Sequence, residues 1–165
     1  MIKKYKGKLG KFSYDDADFK ISKLYGTHGV DYICYIGNET DGSKIKIPKG
    51  IKSCYHMFAY NSLETPPEIP EGVKDCSLMF VDCKNLKIAP AIPEGVKNCN
   101  GMFWNCYSLE TAPAIPEGVE DCRSMFWNCI NLKILPEVPE TVKNKGDMFT
   151  GCKKAFETLL HEMFS

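Results

Sequence analysis

Nine cysteines and three histidines are the residues of this chain that could do the most chemistry. A cysteine thiolate can act as a nucleophile, form a disulfide or, together with histidine, bind zinc. Zinc requires four convergent ligands, typically in C-x₂₋₄-C pairs, whereas the paired cysteines here lie seven residues apart. Nothing in the sequence brings His28, His56 and His161 near one another. We therefore expect no metal site and no cofactor.

Catalytic motifs are also missing from the sequence. It contains no G-x-S-x-G, no Gly-rich phosphate loop and no H-E-x-x-H, since His161-Glu162 lacks a second histidine. Cys34 stands outside the repeated positions, but no base or activating group is evident beside it. Most carboxylates recur in a repeated frame, whereas an active site usually occurs once. The sequence predicts a protein without enzymatic activity.

A sequence repeat positions most of the cysteines. The dipeptide Met-Phe recurs at intervals of 22, 23, 23 and 23 residues. Its copies are Met57-Phe58, Met79-Phe80, Met102-Phe103, Met125-Phe126 and Met148-Phe149. A unit of this length cannot bury an apolar face alone, so neighbouring units must stack and bury it for one another. We predict an α/β repeat solenoid of five coils of about 23 residues.

The repeat frame resembles that of a known family. Residues 45–156 follow the pattern IP-x-x-V-x-x-C-x-x-MF-x-x-C-x-x-L. This is similar to the IP-x-x-V-x-x-I-x-x-x-AF-x-x-C-x-x-L of BspA-like bacterial leucine-rich-repeat proteins. The resemblance implies a leucine-rich-repeat-like, right-handed stack with a short parallel strand on one face and small helical turns on the other. Many members of that family are exported surface proteins.

The spacing within one unit predicts its local structure. Val96, Cys99, Phe103 and Cys106 follow one another at i, i+3, i+7 and i+10, which is typical of a short helical or 3₁₀ turn with one buried side. Residues 109–115 should be extended, and prolines keep that strand very short. The IPEG segments predict turns in which glycine takes a positive φ.

Stacking places equivalent residues of neighbouring coils over one another. Buried thiols are favoured for both cysteine columns, because cysteine is a small hydrophobe and its count here is odd. A disulfide or a metal between coils is the alternative. The first column is Cys54, Cys76, Cys99 and Cys122, and the second is Cys83, Cys106, Cys129 and Cys152.

A column of charged residues directly follows the leucine that recurs in the repeat frame. It reads Glu64, Lys87, Glu110 and Lys133, so the sign alternates from coil to coil. Alternation at strand spacing predicts ion pairs across the coils, with a role in register and solubility.

The residue after each Met-Phe is the most variable frame position. It is Ala59, Val81, Trp104, Trp127 or Thr150. Trp104 and Trp127 should lie one coil apart on the same face, with Tyr107 and Ile130 close by in sequence. Surface tryptophans are enriched at binding hot spots, although they could instead pack under the next turn. These four residues form the candidate binding site, and Asn105 and Asn128 are expected to be turn residues.

Both ends of the chain depart from the repeat. Residues 1–44 form a predicted β-rich cap of three alternating runs, 5–14, 19–25 and 30–36, with a separate recognition hairpin as the alternative. Residues 45–151 form the solenoid. Residues 152–165 should form a C-terminal helix that covers the last coil, since Phe156, Leu159, Leu160 and Met163 recur at helical spacing. Its apolar side could instead form a dimer.

Charge and composition narrow the function. The chain has 21 basic and 21 acidic residues and no basic stripe, which excludes a typical nucleic-acid binder. It has no apolar stretch of membrane-spanning length and no apolar h-region near its start, so we expect a cytoplasmic protein that binds no membrane. The favoured function is a protein–protein interaction module, a monomer or a weak homodimer through its C-terminal helix. The alternatives are a small phage- or mobile-element-type inhibitor that blocks an enzyme by binding it, and an adhesin or glycan-binding protein.

Overall fold

Short hairpins, a long series of turns and one helix make up the computed structural model, which describes residues 2–7, 10–15, 19–25 and 31–164. Between Lys44 and Lys153 the chain forms turns joined by isolated parallel bridges. The elements in chain order are β1 (Ile2–Gly7), β2 (Gly10–Asp15), β3 (Ile21–Tyr25), β4 (Asp31–Tyr35), a 3₁₀ turn (Gly42–Lys44) and α1 (Lys153–Phe164).

The N-terminal strands form two antiparallel hairpins, β1 with β2 and β3 with β4. The sequence predicted one small sheet from three runs, and the structure differs at the first run. That run folds back on itself, and Gly7 pairs with Gly10, whose φ of +120° favours glycine. His28 and the first residue of the third run lie outside the described residues.

The repeats stack on one another over residues 51–152, called the stack below. Parallel bridges join equivalent residues of all five repeats in the order Ser53, Asp75, Asn98, Asp121 and Asn144. The hydrogen bonds run in opposite directions on two sides. On the turn side, which carries the cysteines and Met-Phe, each repeat donates to the next, as from Phe103 N to Met125 O at 2.9 Å. The opposite side, which follows the frame leucine in each repeat, is called the return side. There the later repeat donates to the earlier one, as from Glu110 N to Lys87 O at 2.9 Å. The leucine-rich-repeat class and the handedness of the stack stay predictions.

The turn side consists of consecutive turns and contains no assigned helix among its described residues. Helix-like bonds from residue i to i−3 form, as from Met102 N to Cys99 O at 3.1 Å. On this side two residues per repeat take a positive φ, however, and single left-handed residues interrupt any helix. They are His56 and Tyr60, Leu78 and Asp82, Gly101 and Asn105, Ser124 and Asn128, and Asp147 and Gly151. The predicted helical or 3₁₀ turn is therefore corrected to a chain of tight turns.

A column of phenylalanines forms the centre of the core. Ring centroids of neighbouring repeats are 5.5 to 5.9 Å apart, and the ring planes differ by only 3° to 13°. The first four members are fully buried. The column is Phe58, Phe80, Phe103, Phe126 and Phe149. The core is thus one continuous ladder, in which each repeat depends on its neighbours.

Both cysteine columns lie in this core, which confirms their predicted burial. Each thiol of the second column donates to the carbonyl of the phenylalanine one repeat earlier, as from Cys106 Sγ to Phe80 O at 3.1 Å. Burial raises the pKa of Cys83 and Cys122 to about 12 and that of Cys152 to about 11. Burial therefore disfavours the thiolate, the form that acts as a nucleophile.

The alternating charges form the predicted ion pairs between repeats. Lys87 Nζ lies 2.7 Å from Glu64 Oε2, and Lys133 pairs with Glu110 in the same way. All four side chains are substantially exposed, so solvent and salt screen these pairs and their contribution to stability is small. The prediction of cross-coil pairing is confirmed.

The two ends of the stack are finished differently. At the N-terminal end, the ring of Tyr35 in β4 contacts that of Phe58 at 5.2 Å between centroids, with the planes tilted by 43°. Tyr35 also donates its backbone N–H to Met57 O at 2.7 Å. At the C-terminal end α1 forms, but Ala155 is its only buried residue. The sequence predicted that α1 would cover the last repeat. Its apolar side chains instead face solvent, because the helix contacts the stack only near its start.

Candidate functional site: the tryptophan face

Trp104, Trp127, Tyr107 and Ile130 lie on the turn side of the third and fourth repeats and are called the tryptophan face. The two indole rings are in contact, with centroids 5.6 Å apart and planes tilted by 34°. Trp104 is 36% exposed and Ile130 is 38% exposed, while Trp127 and Tyr107 are half-buried. The predicted placement of the tryptophans on one face, one repeat apart, is thus what the structure shows.

Backbone hydrogen bonds fix the position of both tryptophans. Trp104 N donates to Gly101 O, and Trp127 N donates to Ser124 O, each at 3.1 Å. The carbonyl of Trp127 accepts from Asn105 N at 2.8 Å, which ties the two repeats together directly at the indoles. The pair is therefore held in place before any partner binds, which lowers the entropic cost of recognition.

Gly101 makes room for Trp104. A methyl group added at Gly101 would lie 2.5 Å from Leu78 Cδ2 and 3.6 Å from Trp104 Cε3, so the indole and Leu78 converge over this glycine. Other repeats carry His56, Leu78, Ser124 or Asp147 at the same position. Sequence reasoning missed Gly101 and Leu78 as parts of this surface. The sequence did contain a signal for them. Glycine stands two residues before the frame phenylalanine in this repeat only, and the other four repeats carry a side chain there.

An amide ladder runs beside the indoles. Asn128 Nδ2 donates to Asn105 Oδ1 at 3.1 Å, and Asn105 Nδ2 donates to Asp82 Oδ1 at 3.3 Å. All three residues take a positive φ, a conformation for which asparagine and aspartate are well suited. The expectation that Asn105 and Asn128 are turn residues is confirmed. Their ladder also fixes the register of the two tryptophan-bearing repeats.

Tyr107 and Ile130 occupy the neighbouring column, after the second cysteine. Lys84 Nζ lies 5.9 Å from the centroid of the Tyr107 ring, a cation–π contact. Asn131 Nδ2 donates to Tyr107 O at 2.8 Å. In the part of the chain that the structure describes, the Tyr107 ring makes no ring contact with Trp104 or Trp127. The surface therefore consists of an indole pair and an adjacent strip of mixed apolar and cationic character.

The described histidines and carboxylates form no competing site. Residues 31–164 and the described hairpin strands contain no group of three or more metal-ligating side chains. A polar cluster in the cap joins Tyr35, Glu39 and Lys20: the tyrosine hydroxyl donates to Glu39 Oε2 at 2.7 Å. Burial and this carboxylate raise the pKa of Tyr35, the opposite of what a catalytic phenolate requires.

The return side carries two shallow clefts lined by the repeated prolines. One of about 550 Å³ lies between the first and second repeats and includes Pro66 and Pro90. Another of about 410 Å³ lies between later repeats and includes Pro113 and Pro136. Neither contains paired aromatic side chains, and the return side is therefore the second candidate surface.

Comparisons with protein-family models, with curated proteins and with solved structures found no match. Of the helices among the described residues, none has the length and apolarity needed to span a membrane. The tryptophan face therefore rests on its own geometry.

Proposed function

We propose that this protein is a protein–protein interaction module that acts in the cytoplasm without catalysis. In this proposal it is a right-handed, leucine-rich-repeat-like solenoid of the BspA-like type. Its partner is another protein, bound by the tryptophan face. No nucleic acid, membrane or cofactor takes part.

The observation that carries the proposal is the contact between Trp104 and Trp127 at a partly exposed surface. Indole rings are large, rigid and apolar, and they lose little conformational entropy when a partner covers them. Ile130 adds an exposed apolar side chain on the same repeat as Trp127, and Lys84 provides a charged group beside Tyr107. A partly exposed aromatic centre with a polar rim is the arrangement found at protein interfaces.

Charge supports a protein partner. The chain carries equal numbers of acidic and basic residues, and the charge column of the stack pairs Lys87 with Glu64 and Lys133 with Glu110. Nucleic-acid binding requires a concentration of cations that releases counterions from phosphates. An inhibitor that blocks an enzyme by covering it is one form of the same proposal. Glycan binding is the second candidate, since sugars stack on exposed indoles.

The test begins with partner capture from lysate and identification by mass spectrometry. The purified partner is then titrated against wild type and the Trp104→Ala/Trp127→Ala variant by calorimetry. The double truncation should weaken binding at least about thirtyfold, the loss of about 2 kcal/mol that a single hot-spot residue gives, and up to about a thousandfold if the two losses add. Circular dichroism and thermal melting show whether the variant stays folded.

A matched control is Ile88→Ala/Ile134→Ala, which removes two exposed apolar side chains from the return side. This control should bind as wild type does. An unchanged affinity in the tryptophan variant, or a loss confined to the isoleucine variant, would refute the tryptophan face. Binding on a glycan array that disappears with the tryptophans, without a protein partner, would establish the second candidate instead.

A further inference from the structure

The last repeat ends the turn side with four backbone donors that no carbonyl in the described part of the chain accepts. In the preceding repeat the four equivalent N–H groups all donate to carbonyls of the last repeat, at 2.7 to 2.9 Å. The same four bonds form at each of the four interfaces between repeats, at 2.7 to 3.2 Å. The donors without such an acceptor are the N–H groups of Lys145, Asp147, Phe149 and Gly151. This face of the last repeat is called the open end.

The open end already has the conformation that binds a neighbouring repeat elsewhere in the stack. Met148 N donates to Lys145 O at 3.3 Å, as the equivalent groups do in the other four repeats. Thr150 N donates to Asp147 O at 3.2 Å in the same way. Asp147 and Gly151 also take the positive φ of their equivalents, at 56° and 82°. An edge that is formed in advance binds a segment without the entropic cost of ordering itself.

Apolar surface accompanies these donors. Phe149 stacks on Phe126 at 5.9 Å between ring centroids, and in the described chain this is its one ring contact. Phe149 is half-buried and lines a cleft of about 480 Å³, together with Val138 and Phe156. In each inner interface, a phenylalanine of the next repeat covers the equivalent ring. The cleft therefore offers space for a further ring of the column.

The interfaces inside the stack show which segment fits such an end. In the segment that starts at Asp121, the first, third, fifth and seventh residues supply the four carbonyls. The sixth residue, Phe126, supplies the stacked ring. The eighth residue, Asn128, takes a positive φ, and this position is aspartate, asparagine or glycine in four of the five repeats. Four alternate carbonyls, a ring and a left-handed residue thus define the ligand.

A second copy of this chain does not present such a segment. Two open ends cannot pair, because each would present N–H donors to the other. The first repeat of a second copy is covered by its own cap, since Met57 O accepts from Tyr35 N at 2.7 Å and the Tyr35 ring contacts Phe58. The inner repeats are covered by their neighbours. The segment must therefore come from a different protein.

We propose that the open end binds a segment of another protein that continues the stack by one turn segment. The bound segment supplies alternate backbone carbonyls to the four donors and places a phenylalanine over Phe149. It carries asparagine, aspartate or glycine two residues after that phenylalanine. Such addition to an exposed backbone edge takes its affinity from the main-chain bonds and its specificity from the side-chain pocket. The surface is separate from the tryptophan face and adds a second binding function to it.

A synthetic peptide of residues 119–130, VEDCRSMFWNCI, tests the proposal against the isotope-labelled full chain under reducing conditions. Binding should saturate below about 1 mM, and the amide signals of the four donors should shift and become protected from solvent exchange. Phe126→Ala in the peptide should weaken binding at least about tenfold. The matched Arg123→Ala peptide should bind as the unmodified one does, because that side chain is exposed in the stack. Absence of binding up to about 1 mM, shifts that miss the four donors, or equal binding of the Phe126→Ala peptide would overturn the proposal.

Variants of the full chain separate this surface from the others. Phe149→Ala should weaken peptide binding at least about tenfold, whereas Leu160→Ala, which removes an exposed side chain of α1 outside the cleft, should leave it unchanged. A weakening by Leu160→Ala equal to that by Phe149→Ala would assign the peptide to the helix instead. Signals of the four donors that shift with protein concentration alone would assign the open end to a second copy. Either result would refute the proposal, and the peptide pair decides it if Phe149→Ala does not fold.

The outcome is independent of the proposed function. The Trp104→Ala/Trp127→Ala variant should bind the peptide as wild type does, because neither indole lies at the open end. A loss of peptide binding in that folded variant would place the peptide on the tryptophan face and overturn the assignment to the open end.

Discussion

The two ends of the stack show two ways to finish the same repeat. At the N-terminal end the cap adds two more aromatic rings to the phenylalanine column, since Phe19 contacts Tyr35 and Tyr35 contacts Phe58 with tilted ring planes. At the C-terminal end the column stops at Phe149, which is half-buried and lines an open cleft. The N-terminal end is sealed by aromatic packing, whereas the C-terminal end keeps apolar surface in contact with solvent.

Backbone polarity sharpens this difference. On the turn side each repeat donates its N–H groups to the repeat that follows, so the last repeat of the described chain has nowhere to donate them. Among residues 31–164, no carbonyl accepts from the N–H groups of Lys145, Asp147, Phe149 and Gly151. At the opposite end Met57 O accepts from Tyr35 N. The cap therefore supplies a backbone donor to the first repeat, whereas the last repeat keeps backbone N–H groups that no carbonyl of residues 31–164 accepts.

High pH should produce the largest effect and separate the two ends. A buried thiol with a raised pKa keeps its proton after the unfolded thiol, with a pKa of about 8.5, has lost it. Each buried thiol therefore contributes its full stabilisation of the folded state below a pH of about 8.5. That stabilisation is lost as the pH rises towards the pKa of the folded thiol. Above a pH of about 8.5 each thiol lowers the free energy of unfolding by up to about 1.4 kcal/mol per pH unit, so the eight buried thiols together lower it by on the order of 10 kcal/mol for each pH unit. Urea titrations from pH 7 to 10.5 should show this loss.

The open end should react first. Burial raises the pKa of Cys152 to about 11 and that of Cys83, nearer the cap, to about 12. Pulsed alkylation with mass spectrometry should therefore modify Cys152 at a lower pH than Cys83. Cys152→Ala should raise the pH at which unfolding begins, because it removes one thiol that must stay protonated in the folded state. Cys34→Ala should raise that pH less, because the Cys34 thiol is only half-buried, although burial raises its pKa as well. A free energy of unfolding that is constant from pH 8 to 10 would contradict this account.

Removal of one ring from each end should give the next largest effect. Phe58→Ala leaves a cavity between Tyr35 and Phe80, and such changes cost about 3–5 kcal/mol. Phe149→Ala removes a ring that is stacked on one side only and should cost about half as much. Chemical denaturation of both variants measures the difference. Equal losses would mean that the C-terminal end is as well packed as the capped end.

The smallest expected effect concerns the polar seal of the cap. Tyr35→Phe deletes the hydroxyl that donates to Glu39, at a cost of about 1 kcal/mol. This hydrogen bond is the main cause that lowers the pKa of Glu39 to about 2. A lowered carboxyl pKa contributes stability above its ordinary value of 4.5, and that stability is lost as pH falls towards 2. The variant should therefore lose less stability than wild type over that interval.

Thr150→Val is the counterpart at the open end. It removes an exposed hydroxyl that donates to Asp147 Oδ1 at 3.3 Å, and we expect a change within about 0.5 kcal/mol. Melting curves of Tyr35→Phe and Thr150→Val at pH 7 and pH 3 compare the two ends directly. A larger loss in Thr150→Val than in Tyr35→Phe would reverse the comparison.

The sequence predicted the parts of the fold that recur. The period defined the stacked units, the frame positions identified the buried columns, and IPEG correctly placed glycine at a positive φ, as at Gly95 and Gly118. Alternating Glu64 and Lys87 correctly indicated an ion pair between repeats. Recurrence makes such features readable, because five copies sample one structural position.

The features that occur once were harder to predict. Left-handed positions such as Leu78 carry ordinary side chains, so nothing in their residue type indicates a positive φ. The apolar side of α1 faces solvent because of the direction in which the chain leaves the last repeat. The repeat period contains no information about that direction. For the candidate site, the sequence correctly identified the two tryptophans. The space that Gly101 leaves for Trp104 and Leu78 became evident only from the side-chain packing.

The opposed hydrogen-bond directions of the two sides have an evolutionary consequence. Each repeat presents the same backbone donors and acceptors to both neighbours, so a duplicated or deleted gene segment that spans one whole repeat keeps the backbone hydrogen bonds and the phenylalanine column. It changes the charge column, because deletion of the second repeat would place Glu64 beside Glu110. The interval of 22 residues between Phe58 and Phe80, whose rings still stack at 5.6 Å, shows that a loss of one residue between two turn segments is accommodated. A shift within the turn side itself would move left-handed positions onto residues that resist them, so the whole repeat is the natural unit by which this protein can lengthen or shorten.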